Sequence, residues 1–254
     1  MSCWICGNKA DSREHKIKKS DLISLYGKGP YKEPLLLMKG KKAIKIQGPD
    51  QIHLKYKKTI CSACNNVLTQ PFDRAYELFV RYVLENEKLL YYKRFFDFES
   101  VYGIEWEEAQ RNLFKYLVKS LGCRIVEAGY DVPKDLSILL YQNDFLTSLY
   151  INFAINEDKA LFIKGDHRFT GLGNLLTTEN NLRNKNEHKY QWNIYISFVT
   201  ISFWYAWYPD GNYGCPWTAN SKFIYFGCYR PLTEKMRNEL LEKSKTSSSG
   251  CITS

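Results

Sequence analysis

Long apolar runs are scarce in this sequence, and the scarcity removes whole classes of protein. The stretch from Trp192 to Tyr208 carries no charge over 17 residues. It holds Asn193, Ser197, Thr200 and Ser202 among β-branched and aromatic side chains, the composition of one or two buried strands rather than of a bilayer span. No apolar segment with a cleavage site follows Met1-Ser2-Cys3-Trp4-Ile5-Cys6, so no secretory leader is expected and a cytoplasmic location is. No internal repeat is present. Charged residues at 25% and hydrophobic residues at 44% of 254 are globular proportions, which excludes wholesale disorder, a collagen repeat and a coiled coil. This length accommodates a small module and a larger domain.

Beyond residue 60 there is no excess of either charge. Residues 1 to 60 hold 14 Lys+Arg against 5 Asp+Glu, the rest hold 22 of each, and the net +9 therefore belongs to the N-terminal segment. Its lysines cluster at Lys16, Lys18 and Lys19, at Lys39, Lys41, Lys42 and Lys45, and at Lys55, Lys57 and Lys58. Such a field attracts phosphates. Lys16, Lys18, Lys19, Lys55, Lys57 and Lys58 are accordingly candidate nucleic-acid contacts, against the alternative of a solvated lysine face.

Only four of the eight cysteines fall into a pattern, Cys3-x-x-Cys6 and Cys61-x-x-Cys64. Without a secretory signal, paired knuckles of this kind point to zinc held by four thiolates, each knuckle supplying one edge of the tetrahedron. The chain between the pairs is too long for a compact ribbon, so it is expected to carry a function of its own. Cys123, Cys215, Cys228 and Cys251 lack such spacing and are expected to be free thiols in a core or tail.

The patterning predicts an α+β protein. Residues 1 to 75 read as a loop-rich, zinc-stapled module, in which Ile44–Ile46 and Ile52–Tyr56 alternate as strands and could pair across Gly48-Pro49-Asp50. Ala75, Leu78, Phe79, Tyr82 and Val83 recur at helical intervals after Asp73, a possible N-cap. Trp106 to Leu121 reads as a helix stopped by Gly122, and Pro133 opens another through Leu140. Strands over Ile194–Trp207 and Lys222–Tyr229 complete a domain of residues 76 to 242 with C-terminal antiparallel strands. Its aromatics, among them Trp192, Trp204 and Trp217, read as core or partner interface. Residues 243 to 254 read as a disordered tail.

Two polar constellations accompany the knuckles. Glu14-His15 follows the first, and Asn65-Asn66 follows the second at once. In these residues the chain resembles the HNH, or ββα-metal, endonuclease family, in its zinc-knuckle form. The resemblance covers residues 1 to 75 and implies that Glu14 and Asn65 hold a catalytic Mg²⁺ or Mn²⁺, that His15 activates water, and that the thiolate zinc is structural. Asn66 could exchange roles with Asn65, and Asp73 could cap its helix or orient a ligand. The implied substrate is nucleic acid, double-stranded DNA first, with defence or restriction as a setting and a homodimer or protein partner engaged through the C-terminal domain; no membrane is implied. Hydrolysis of a phosphodiester needs a base, a cation and basic surroundings, and this segment offers all three. The competing expectation is a zinc-knuckle protein that binds nucleic acid without cutting it.

Overall fold

The computed structural model describes residues 1–39, 42–142, 146–162, 170–179, 188–208 and 214–248. Asp166-His167, a second acidic-His dipeptide of the sequence, Tyr213, Cys251 and the segment Pro209-Asp210-Gly211-Asn212, whose residue types predict a turn, lie outside them. The fold is α+β. Its main sheet contains β3 (Phe95–Asp97), β4 (Leu149–Asn156), β5 (Thr170–Leu172), β6 (Leu176–Glu179), β7 (His188–Ile196), β8 (Val199–Tyr205) and β9 (Phe223–Tyr229). The strand order is β3-β9-β4-β8-β7-β5, with β6 also on β7. β4 and β9 run parallel, with Phe153 opposite Phe226, so the sheet is mixed rather than purely antiparallel. The uncharged stretch resolves into two strands, β7 and β8, joined through Ser197 and Phe198.

Two helices cross beneath this sheet, α2 (Gln70–Glu85) and α5 (Trp106–Glu127). α2 packs through one apolar face, with Phe79 and Val83 fully buried, whereas α5 is enclosed on all sides from Leu113 to Cys123, with Leu113, Phe114, Leu117 and Leu121 fully buried. Trp217 joins helix to sheet, its ring 5.5 Å from Phe114, 5.6 Å from Phe98 and 5.6 Å from Phe153. Trp192, Trp204 and Trp217 are all buried, which makes them core rather than stacking platforms for bases. Further helices among the described residues are α3 (Glu87–Lys93), α4 (Phe98–Tyr102), α6 (Lys134–Tyr141), α7 (Glu157–Phe162) and α8 (Glu234–Ser248). α6 starts after Pro133 as expected, whereas α8 runs past the expected start of the tail.

The N-terminal segment differs in detail from its sequence reading. Residues 12 to 16 are extended and pair antiparallel with residues 54 to 60 through Ser12 N–H to Ile60 O (2.9 Å), Tyr56 N–H to Glu14 O (2.9 Å) and Lys16 N–H to Leu54 O (2.7 Å). The expected hairpin across Gly48-Pro49-Asp50 does not form. Ile44–Ile46 lies in β2 (Lys42–Ile46), whose partner is β1 (Leu35–Lys39), and Ile52–Leu54 is a short 3₁₀ turn. The leucine run of β1 supplies an apolar face that the alternation at 52–56 cannot match: Ile46 and Leu54 are buried with Ile17 and Leu22 in a small cluster that Leu35 and Leu37 pack against. α1 (Lys19–Tyr26) follows the extended segment.

Gly122 does not stop its helix. α5 continues to Glu127, and the glycine serves packing instead, since a Cβ there would come 2.3 Å from Cζ2 of Trp4. Buried residues from Cys3 and Ile5 through α2, α5 and the sheet form one continuous cluster. The knuckles are therefore seated on the body of the protein.

Candidate functional site

Local backbone geometry builds the first knuckle. Cys3 N–H donates to Asn8 O at 2.6 Å and Gly7 N–H to Cys3 O at 2.9 Å, with Gly7 at φ 79°, a left-handed conformation that favours glycine. The second knuckle opens the helical turn before α2, where Asp11 caps it by accepting from Ser62 N–H at 2.7 Å. The antiparallel pairing of 12–16 with 54–60 brings the two knuckles together. All four Sγ atoms of Cys3, Cys6, Cys61 and Cys64 lie within 4.8 Å of one another. Tetrahedral zinc with thiolates at about 2.3 Å has ligand edges of about 3.8 Å, and Cys6 and Cys61 stand 3.6 Å apart. Cys64 N–H donates to Cys61 Sγ at 3.4 Å, and this backbone dipole helps hold that thiol down to about 7. The cluster can hold a metal ion, as structural zinc requires. Of the other thiols, Cys123 is buried and accepts from Thr59 Oγ1 at 3.3 Å, while Cys215 and Cys228 are exposed rather than in a core.

Past Cys64 the chain makes a π turn, Cys64–Leu68, before α2 begins. An inserted turn of this kind re-aims side chains, and here it carries Asn65 and Asn66. Asn65 donates from Nδ2 to Ser12 Oγ at 2.9 Å, which leaves Oδ1 without a protein partner among the described residues. Thr69, not Asp73, occupies the cap position of α2. Asp73 stands within the first turn and points at α5 and at Lys18.

A cavity of about 400 Å³ opens beside this turn, lined by Glu14, His15, Lys18, Asn65, Asp73 and Glu77, among others. Glu14, His15, Asn65, Asn66 and Asp73, five residues singled out from sequence, thus share one space. Adjacent residues of an extended chain point to opposite sides, and the first two do so here. Glu14 turns inward, 7% exposed, with Oε2 accepting from Lys119 Nζ at 3.1 Å. His15 turns outward to Asp50, Nε2 to Oδ1 at 3.1 Å. Burial and the cation of Lys55 hold the His15 imidazole below its ordinary pKa, which keeps it neutral at pH 7. Asp50 is held down to about 2 by its bond from Lys55, Nζ to Oδ1 at 2.7 Å.

Lys119, Asp50 and Glu77 were not identified from sequence. Lys119 is wholly buried and contacts Glu14, Asp73 Oδ1 (2.9 Å), Asp73 Oδ2 (3.1 Å) and Thr69 Oγ1 (3.3 Å). Burial alone would lower its pKa, but the carboxylates of Glu14 and Asp73 outweigh that and raise it. The ring of Tyr116 receives Lys18 at 5.1 Å and Lys119 at 5.3 Å and stacks on Tyr76 at 3.9 Å. No local signal marks it: at about 100° per residue Lys119 lies on the face of α5 away from Leu113, Leu117 and Leu121, and it is buried because α5 is enclosed on all sides from Leu113 to Cys123.

Most of the candidate phosphate-binding lysines meet carboxylates. Lys16 pairs with Glu127 at 3.2 Å, Lys18 with Asp73 at 2.6 Å and Glu77 at 3.5 Å, and Lys19 with Asp50 at 3.5 Å. Lys57 and Lys58 are exposed and form no side-chain ion pair among the described residues. No helix among those residues is long and apolar enough to cross a membrane. No protein-family model, no curated protein and no solved structure matches this chain.

Proposed function

We propose that the chain is a metal-dependent endonuclease that hydrolyses phosphodiester bonds of nucleic acid, duplex DNA in the first instance, through a zinc-stapled HNH-like module. The observation that carries this reading is the shared cavity of Glu14, His15 and Asn65 beside the four-cysteine cluster. The zinc is structural, holding the extended segment against the turn that bears Asn65.

His15 has the attributes of a general base. Its Nε2 is engaged by an ionised carboxylate, which favours the tautomer with Nδ1 unprotonated, and the ring is neutral at working pH. Glu14 Oε1 and Asn65 Oδ1 are oxygen donors of the kind that hard divalent cations take. Mg²⁺ or Mn²⁺ held there would supply charge stabilisation to the phosphorane and the departing oxygen. Lys57 and Lys58 are the exposed lysines best placed to meet the phosphate backbone.

Purified protein with Mn²⁺ or Mg²⁺ is expected to nick or cut plasmid DNA, and His15→Ala to abolish cutting with zinc content unchanged. Equal cutting by His15→Ala would remove the base from this scheme; no cutting of duplex DNA, single strands or RNA by wild type would remove the enzyme. A second reading, nucleic-acid binding without hydrolysis, draws on the Glu14–Lys119 ion pair, which already satisfies one carboxylate oxygen internally. That reading is favoured if the protein binds DNA in a salt-dependent way yet takes up no Mn²⁺.

A further inference from the structure

We propose that Lys119 is a positioning residue of this site, one that commits Asp73 to the protein and leaves Glu14, of these two acids, as the one open to a divalent cation. The inference rests on the nuclease reading of the cavity. Asp73 and Glu14 both line that cavity, and from sequence either acid could serve as a ligand. Their hydrogen bonds distinguish them. Asp73 has both oxygens within 3.1 Å of Lys119 Nζ, and its Oδ1 also takes Lys18 Nζ at 2.6 Å. These are charge-assisted bonds to a carboxylate flanked by two ammonium groups. Glu14 is held at Oε2 alone, which fixes the carboxylate plane and leaves Oε1 without a protein partner among the described residues.

Charge leads to the same assignment. Glu14, Asp73 and Glu77 set three negative charges against the two positive charges of Lys18 and Lys119, to which they are bonded. One divalent cation reverses the resulting −1, and a second would stand beside like charge in a partly dry space. Without the Lys119 ammonium the balance is −2 and Asp73 is released, so a second ion, or a much tighter first one, becomes possible. Lys119 belongs to α5, 105 residues from Glu14 in sequence. The proposed nuclease site is therefore completed by a helix outside residues 1 to 75.

The test is Mn²⁺ binding to the full-length, zinc-loaded protein, followed by electron paramagnetic resonance with no substrate present. Wild type is expected to bind one Mn²⁺ per chain. Lys119→Met is expected to bind a second ion, or the first at least about tenfold more tightly, and adding Asp73→Asn to it should restore the wild-type isotherm. Asp73→Asn alone should stay within about threefold of wild type. An isotherm for Lys119→Met equal to wild type, or a loss beyond about tenfold in Asp73→Asn alone, overturns the proposal while leaving the nuclease reading in place. No Mn²⁺ binding by wild type overturns both. If Lys119→Met fails to fold, as judged by zinc content and circular dichroism, Asp73→Asn decides alone.

Discussion

Trp4 lies so close over Gly122 that a Cβ at that position would meet its Cζ2 at 2.3 Å and its Cε2 at 2.6 Å. Trp4 sits between two of the four clustered cysteines, and Gly122 sits inside α5, so this contact seats the four-cysteine cluster on the protein body. In an exposed helix Gly→Ala gains about 1 kcal/mol. Here the inserted methyl must displace an indole ring in a packed interface, a cost of about 3 kcal/mol. Gly122→Ala should therefore destabilise the protein by roughly 2 kcal/mol and speed zinc loss to a chelator. Urea unfolding and zinc-release kinetics check this; a more stable variant would show that the ring moves aside freely.

The clustering of the two Cys-x-x-Cys knuckles and the placing of Glu14, His15 and Asn65 around one cavity were legible in the sequence because their signals are local. Knuckles are short spacings, and the polar residues stand next to them. The long helices and the strands β7, β8 and β9 were equally legible from periodicity and β-branched content. Besides β4, which carries no strict alternation because it is buried on both faces, what escaped is long-range. No pattern near Glu14 announces that its partner is Lys119 on α5, and nothing around His15 points to Asp50. The misread hairpin has the same cause: residues 52 to 56 do alternate, but Tyr56 bonds to Glu14 and the leucines of β1 take β2 instead. Gly122 looked like a stop signal because its packing partner, Trp4, lies at the far end of the sequence.

Asp21, in the first turn of α1, is buried at 3% exposure and accepts from Tyr76 Oη at 2.9 Å. Burial lifts its carboxyl to about 7; the Tyr76 hydroxyl, the Lys18 cation and Ser20 pull the other way without prevailing, and Glu77 adds to the rise. Below about pH 4 the group is protonated in both folded and unfolded chains and has no effect. Between about pH 4 and about 7 the unfolded chain loses the proton and the folded one keeps it, so this group makes stability fall by up to ~1.4 kcal/mol per pH unit. Above that range the loss is complete and constant. Asp21→Asn keeps an acceptor for Tyr76 and removes the titration. The stability of Asp21→Asn relative to wild type should rise from pH 4 to pH 7, measured by urea unfolding at each pH; parallel curves would place Asp21 in a solvated, ionised state.

Lys57 and Lys58 are exposed without side-chain ion pairs among the described residues, whereas Lys16, Lys18, Lys19 and Lys55 meet Glu127, Asp73 and Asp50. Counterions are released only where a lysine replaces them on phosphate, and a lysine already held by a carboxylate replaces fewer. The double variant Lys57→Ala/Lys58→Ala should therefore reduce the slope of log K against log salt for duplex DNA by about 1.8, at about 0.9 per contact. Lys19→Ala should change it much less. Fluorescence anisotropy over a range of salt concentrations measures both, and equal slopes for wild type and the double variant would move the phosphate contacts elsewhere.

Asp50 is the residue whose removal most directly examines the role given to His15. It bonds Nε2 of the imidazole at 3.1 Å while gathering Lys55 at 2.7 Å and Lys19 at 3.5 Å. Its carboxylate is 55% exposed, so its ion pairs contribute little to folding. Its bond to the ring nevertheless fixes which nitrogen carries the proton and which way the ring faces. Partners of this kind act through orientation, and losing one typically costs about 10- to 100-fold in activity. Asp50→Asn should thus slow plasmid cleavage by about that factor, with zinc content and unfolding midpoint unchanged. Any trace of cutting left in His15→Ala at high enzyme concentration should fall no further in His15→Ala/Asp50→Asn, because Asp50 acts through the ring. Additive losses in the double variant would mean that Asp50 works on the substrate by a separate route, and undiminished cleavage by Asp50→Asn would mean that the imidazole needs no such partner.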